Sequence, residues 1–143
     1  MTKRILAPID SREQSEAIVP IVAAIARDAG AAVRLVRVFP VPERVVGVHG
    51  RTVAYVDQEM ARLTDEGLED LAGVATAFTG VPVECVVRFG EPESEILLEA
   101  EAFQADLIAL TAEKHGRLRR ALAPTLADRI AGKASVPALV LRG

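Results

Sequence analysis

Aromatic residues make up only 3% of this 143-residue chain, while half of it is hydrophobic. The apolar residues are mostly Ala, Val, Leu and Ile, a composition that suits parallel strands buried between helices better than a sandwich. Cysteine is scarcer still. Cys85 stands alone, so no disulfide framework or cysteine metal site can be assembled. Its place in the apolar run Val83 to Val87 predicts burial rather than reactivity, and a single thiol fits a reducing cytoplasm. No apolar stretch approaches the ~20 residues needed to cross a bilayer. The run after Lys3 and Arg4 stops at Asp10, too short for a signal peptide, so no membrane role is expected. An excess of one charge is lacking as well: 17 Lys and Arg face 20 Asp and Glu, a net charge of −3. Nothing draws the whole molecule to nucleic acid, and the only dense basic patch runs from Lys114 to Arg120.

What is present is a regular alternation. The length suits one domain, taken as residues 1–143. Strand-length apolar runs occur at Arg4 to Ile9, Val33 to Phe39, Val81 to Phe89, Ala105 to Leu110 and Ala138 to Leu141. Between the first two, Ile18, Ile21, Val22 and Ile25 form a helical stripe that Gly30 should end. A longer helix is predicted from about Val53 to Phe78, with Gly67 and Gly73 as weak points where it could kink. Pro40, Pro42, Gly47 and Gly50 mark a loop before it. Pro92 opens a further helix with Ile96, Leu97 and Ala100 on one face, and the glutamates around them, Glu91, Glu93, Glu95, Glu99 and Glu101, read as its solvated side. Thr125 to Asp128 has the spacing of a capping box, so a last helix should start there and end at Gly132. With right-handed crossovers this order gives an α/β fold: a five-stranded parallel, doubly wound, Rossmann-like sheet with helices on both faces.

In such sheets ligands lie at the carboxyl ends of the strands, beside the switch point between the first and fourth strands. That rule gathers Pro8, Asp10, Val38 and the segment Thr111 to Thr125 around one crevice. The segment leads from a buried strand to a helix N-terminus, which is the frame of a phosphate site.

Those residues carry a resemblance. The pieces are Ile5-Leu6-Ala7-Pro8-Ile9-Asp10-Ser11, Val36-Arg37-Val38, Val86 to Pro92, Ala105-Asp106-Leu107-Ile108 and Val136 to Leu141, and in their joint order and spacing the chain resembles a universal stress protein over nearly its whole length. The resemblance implies a homodimer paired through the final strand, with Val136, Ala138, Leu139, Val140 and Leu141 at the interface. It also implies a nucleotide crevice at Pro8, Asp10, Val38, Thr111, Lys114 and Thr125. The family's ATP-binding branch carries Gly-x2-Gly-x9-Gly-Ser/Thr after the fourth strand. Here those three glycines fall on Thr111, Lys114 and Pro124, and Thr125 alone matches. Glycine would permit positive φ and close approach to an oxyanion, whereas Pro124 has no N–H to donate. The comparison therefore favours the branch that does not bind ATP.

Other readings of the same residues stay open. Asp10 either faces the crevice or caps the helix after Ser11. Lys114, Arg117 and Arg120 form either a surrogate anion site or a solvated basic loop. No nucleophile motif accompanies His115, no residue is assigned to catalysis, and no metal cluster is found. The expectation is a cytoplasmic, non-catalytic regulatory or binding protein with weak or absent ATP binding and an unidentified protein partner. The alternatives are a module that takes an adenine nucleotide or another anion on the Arg-rich loop, and a slow metal-dependent nucleotide hydrolase using Asp10.

Overall fold

The computed structural model describes residues 3–43, 45–46, 52–112 and 124–142. Among these, five strands form one parallel sheet: β1 (Arg4–Pro8), β2 (Ala32–Phe39), β5 (Val83–Phe89), β6 (Leu107–Ala112) and β7 (Ala138–Arg142), in the spatial order β5-β2-β1-β6-β7. The order reverses between β1 and β6, as the sequence predicts. One element was not foreseen. Within the predicted loop and the start of the predicted helix lie two short antiparallel strands, β3 (Val45–Val46) and β4 (Thr52–Ala54).

The strands alternate between two cores. Ile5, Ala7 and Ile9 of the β1 segment and Val33 and Leu35 of β2 pack under α1 (Arg12–Ala29) and Leu71 of α2 (Val56–Ala75). Leu6 and Val36 face the other way, under Ile96, Ala100 and Phe103 of α3 (Pro92–Phe103) and Ala127 and Ile130 of α4 (Leu126–Lys133). Both faces are covered, which is why the strands read as continuous aliphatic runs.

Helix ends follow local chemistry. Ser11 caps α1 by accepting the Gln14 N–H, and Gly30 closes it in the left-handed region at φ 66°. Glu91 caps α3, its carboxylate accepting the N–H groups of Glu93 and Ser94. The predicted stop at Gly132 is incorrect: α4 runs through it to Lys133, and extended Ala134 ends the helix.

Gly67 is not a weak point but a close-packing site. A Cβ there would meet Phe39 and Val87 at 2.9 Å, whereas one on Gly73 would meet nothing within 4 Å. The two glycines should therefore respond oppositely. Gly67→Ala is expected to cost about 1–3 kcal/mol through overpacking, and Gly73→Ala to add up to about 1 kcal/mol through helix propensity. Urea unfolding of both variants checks the sign.

Glu95 and Glu99 correct the reading of a solvated acidic face. Glu99 is 3% exposed. Its carboxylate accepts from Arg34 at 2.8 Å and from Arg88 at 3.1 Å, while Arg88 also donates to Glu95 at 3.1 Å. The Arg34 guanidinium lies 4.2 Å from the centroid of the Phe103 ring. These contacts bolt α3 onto β2 and β5 through charge in addition to the aliphatic packing of Val36, Ile96 and Ala100.

Candidate functional site

At the switch point the carboxyl ends of β1, β2 and β6 open into a crevice of about 180 Å³. Pro8 at the end of β1, Asp10 just beyond it, Val38 on β2 and Thr111 on β6 border it, so four of the residues selected from sequence do meet. Thr125 sits directly before Leu126 and Ala127, which complete one wall. Sequence reasoning missed Gln14, Pro92, Ile96 and Leu110. The first turn of α1 supplies Gln14 and the first two turns of α3 supply Pro92 and Ile96, and the rule that ligands lie above a switch point could have found them by including helix N-termini as well as strand ends. Lys114, Arg117 and Arg120 lie outside the described residues.

The polar groups at this crevice are mostly engaged already. The backbone N–H of Asp10 donates to the Gln14 side chain at 3.2 Å, and Ser11, not Asp10, caps α1. The Asp10 carboxylate stands 3.9 Å from Arg37 and is largely exposed. Thr111 differs from the engaged groups: its Oγ1 is buried and has no hydrogen-bond partner among the described residues. A ligand with one donor or acceptor near β6 would satisfy it.

The helix end that should receive a phosphate is closed by its own residues. Thr125 is buried, and its Oγ1 accepts the Asp128 N–H at 3.1 Å while its N–H donates to the Asp128 carboxylate at 3.1 Å. The predicted capping box is thus formed with Asp in the usual place of Glu. Arg142 at the end of β7 donates to the other Asp128 oxygen. Pro124 offers no N–H, and its carbonyl accepts from Arg129 at 3.2 Å. Glu93 of α3 accepts from Arg129 at 3.1 Å and from Lys133 at 2.8 Å, tying α3 to α4, and Lys133 is the main cause of its lowered pKa.

Asp128 is held down to about 2, first by the Arg142 hydrogen bond and then by the Thr125 N–H. Because its folded value lies below the ordinary one, the cap contributes its stability above the normal carboxylate range and loses it as pH falls through about 2. An NMR titration should give Asp128 a midpoint near 2, and Arg142→Ala should move it up toward 3.8.

Among the described residues no group of three or more His, Cys, Asp or Glu could hold a metal ion, and no helix is long and apolar enough to cross a membrane. Cys85 is half-buried, and desolvation pushes its thiol pKa up, away from reactivity. Among the described residues the edge strand β7 pairs only with β6. It carries Ala138, Leu139, Val140 and Leu141, and Val136 leads into it. Val136, Ala138 and Val140 also pack against the core under α3 and α4.

Several solved structures share this arrangement. Hypothetical protein MJ0577 superposes with a TM-score of 0.78 at 22% identity, covering 100% of this chain and 97% of its own. A universal stress protein from Archaeoglobus fulgidus in complex with dAMP gives 0.64 at 20% identity, covering 98% and 97%. A universal stress protein in complex with cAMP gives 0.68 at 14% identity, covering 99% and 97%. At these identities the likeness concerns the fold alone. A search of curated proteins gave no match. The family model for the universal stress protein family, however, matches residues 1–142, and with that match over a five-stranded sheet of the same kind, the chain belongs to the universal stress protein family.

Proposed function

We propose that this chain is a non-catalytic regulatory or binding member of its family, one in which the crevice binds ATP weakly or not at all. The observation that carries this reading is the closed end of α4. Pro124 removes one backbone donor, and Thr125 and Asp128 spend their N–H groups on each other. The volume agrees, since about 180 Å³ falls below the roughly 300 Å³ at which drug-sized pockets begin. Its walls of Pro8, Val36, Val38, Ile96, Leu110 and Leu126 offer little to a triphosphate. The lone Cys85 supports placing its work in the reducing cytoplasm.

A second reading has one point in its favour: relatives are described in complex with dAMP and with cAMP, ligands that carry a single phosphate. The adenine would then lie on the apolar walls, and the phosphate would rely on Lys114, Arg117 and Arg120. Mass spectrometry of small molecules released from the purified, denatured protein separates the readings. The first expects no nucleotide, the second a stoichiometric monophosphate. Turnover of added ATP would instead favour the hydrolase built on Asp10.

The assembly we propose is a homodimer through the free edge of β7. Val140 also packs inward, so a charge there would disturb the core; Leu139 faces away from that cluster and gives the cleaner variant. Light scattering is expected to give a dimer mass for the wild type at micromolar concentration and a monomer mass for Leu139→Lys. A wild-type monomer would refute the interface.

A further inference from the structure

On the opposite face of the sheet, between the start of α1 and the end of α2, lies a second and larger crevice of about 520 Å³. Its apolar lining is Ile9, Leu71 and Val74, and its charged lining includes Asp10, Arg37 and Asp70. The volume lies within the roughly 300–1,000 Å³ range of small-molecule sites. We propose that this crevice binds a small aliphatic α-amino acid in its zwitterionic form.

Arg37 is the centre of the crevice's charge. It points away from Val38, which lines the first crevice, and its guanidinium lies 4.7 Å from the centroid of the Phe39 ring, which restricts its orientation. Three-quarters of the side chain is covered, and Nε is shut off from solvent without a hydrogen-bond partner. Its acidic neighbours stand back: Asp10 is 3.9 Å from Nε and Asp70 is 3.5 Å from Nη1. Arg34 also has an unpartnered Nε, but its other nitrogens donate to Glu99 and Glu84 at 2.8 to 3.4 Å. Arg37 is thus oriented and neutralised, yet its donors remain unspent.

The charge pattern selects the ligand. A simple anion would meet Arg37 but also Asp10 and Asp70, and a simple cation would meet the reverse. Arg12 and Glu16 pair with each other at 3.1 Å and leave that balance unchanged. A molecule with both signs on adjacent atoms satisfies each: its carboxylate takes the guanidinium donors, and its ammonium sits against the loosened aspartates. Val74, with the accessible edges of the otherwise buried Ile9 and Leu71, then borders an aliphatic side chain. Gly73 borders the same space, and nothing lies within 4 Å of where its Cβ would be. A larger residue at that position would occupy the crevice without displacing the fold.

L-Leucine is the probe, tested by thermal shift and calorimetry on the full chain. N-acetyl-L-leucine, which lacks the ammonium, and isoamylamine, which lacks the carboxylate, serve as comparators. L-Leucine should raise Tm saturably, and both comparators should bind at least about tenfold more weakly. Arg37→Met should abolish the shift. Gly73→Met should abolish it as well while keeping the wild-type circular dichroism, so the test survives if Arg37→Met folds poorly. The proposal is overturned if 20 mM L-leucine, on the order of the weakest affinity worth calling a site, gives no shift. It is equally overturned if either comparator matches L-leucine, or if the shift persists in Gly73→Met. Because no nucleotide enters this test, its failure leaves the reading of the first crevice untouched.

Discussion

Glu99→Ala is expected to lower the free energy of unfolding by about 3 kcal/mol, near the lower end for breaking a buried ion pair. The carboxylate is buried and bonded to two guanidinium groups, so its loss leaves Arg34 and Arg88 beneath α3 without their shared acceptor. Each keeps one other partner, Glu84 for Arg34 and Glu95 for Arg88, which is why a larger value is not expected. In a chain of this length such a loss corresponds to a fall in Tm of roughly 10 °C. Glu99→Gln should fall between wild type and alanine, because the amide retains one acceptor. Glu101→Ala, on the exposed side of the same helix, should change little. Urea unfolding monitored by circular dichroism measures all three, and a loss below about 1 kcal/mol for Glu99→Ala would show that the cluster is solvated in solution.

The same cluster marks where the sequence was hard to read. Along α3, Glu95 and Glu99 lie four residues apart beside the apolar positions Ile96 and Ala100, and a pattern based on hydrophobicity assigns such carboxylates to water. The missing signal was in the strands. Arg34 in β2 and Arg88 in β5 stand within largely apolar strands, and alternation puts both on the same face as Val36 and Val86, toward α3. A charged residue on the helix-covered face of a strand asks for a counter-charge on that helix.

Other features were legible because local and tertiary preferences agree. The aliphatic runs gave the five strands and their two faces, Gly30 and Pro92 gave helix boundaries, and Thr125 with Asp128 gave the capping box. Pro20 did not end α1, whose helical stripe continues across it to Ile25. Gly67 was misread because propensity registers only its flexibility, while its role depends on Phe39 and Val87 arriving from two different strands. The hairpin β3–β4 escaped notice because Pro and Gly around it signal a loop, and its strands are only two and three residues long. Of the crevice, the strand-end residues were readable from topology. The closure of the α4 end was readable only in part: the sequence indicated the capping box but not that Arg142 would reach back from β7 to hold its carboxylate.

The second large effect is a gain. Replacing Thr111, Lys114 and Pro124 together by glycine is expected to strengthen ATP binding by at least about tenfold, since each charge-assisted N–H bond recovered is worth ~1.5–3 kcal/mol. Pro124→Gly returns a donor immediately before Thr125, and Thr111→Gly removes a side chain from the β6 border of the crevice. The capping box should persist, because neither Thr125 nor Asp128 is altered. Far-UV circular dichroism checks that the fold is kept, since glycine inside β6 weakens the strand.

The most direct test of the central claim is isothermal titration calorimetry of the unaltered protein with ATP and Mg²⁺. The closed helix end predicts either no measurable heat of binding or a Kd weaker than about 0.1 mM. A Kd in the micromolar range would contradict the account, because it would mean that the crevice holds a triphosphate despite Pro124 and despite N–H groups already spent within the capping box.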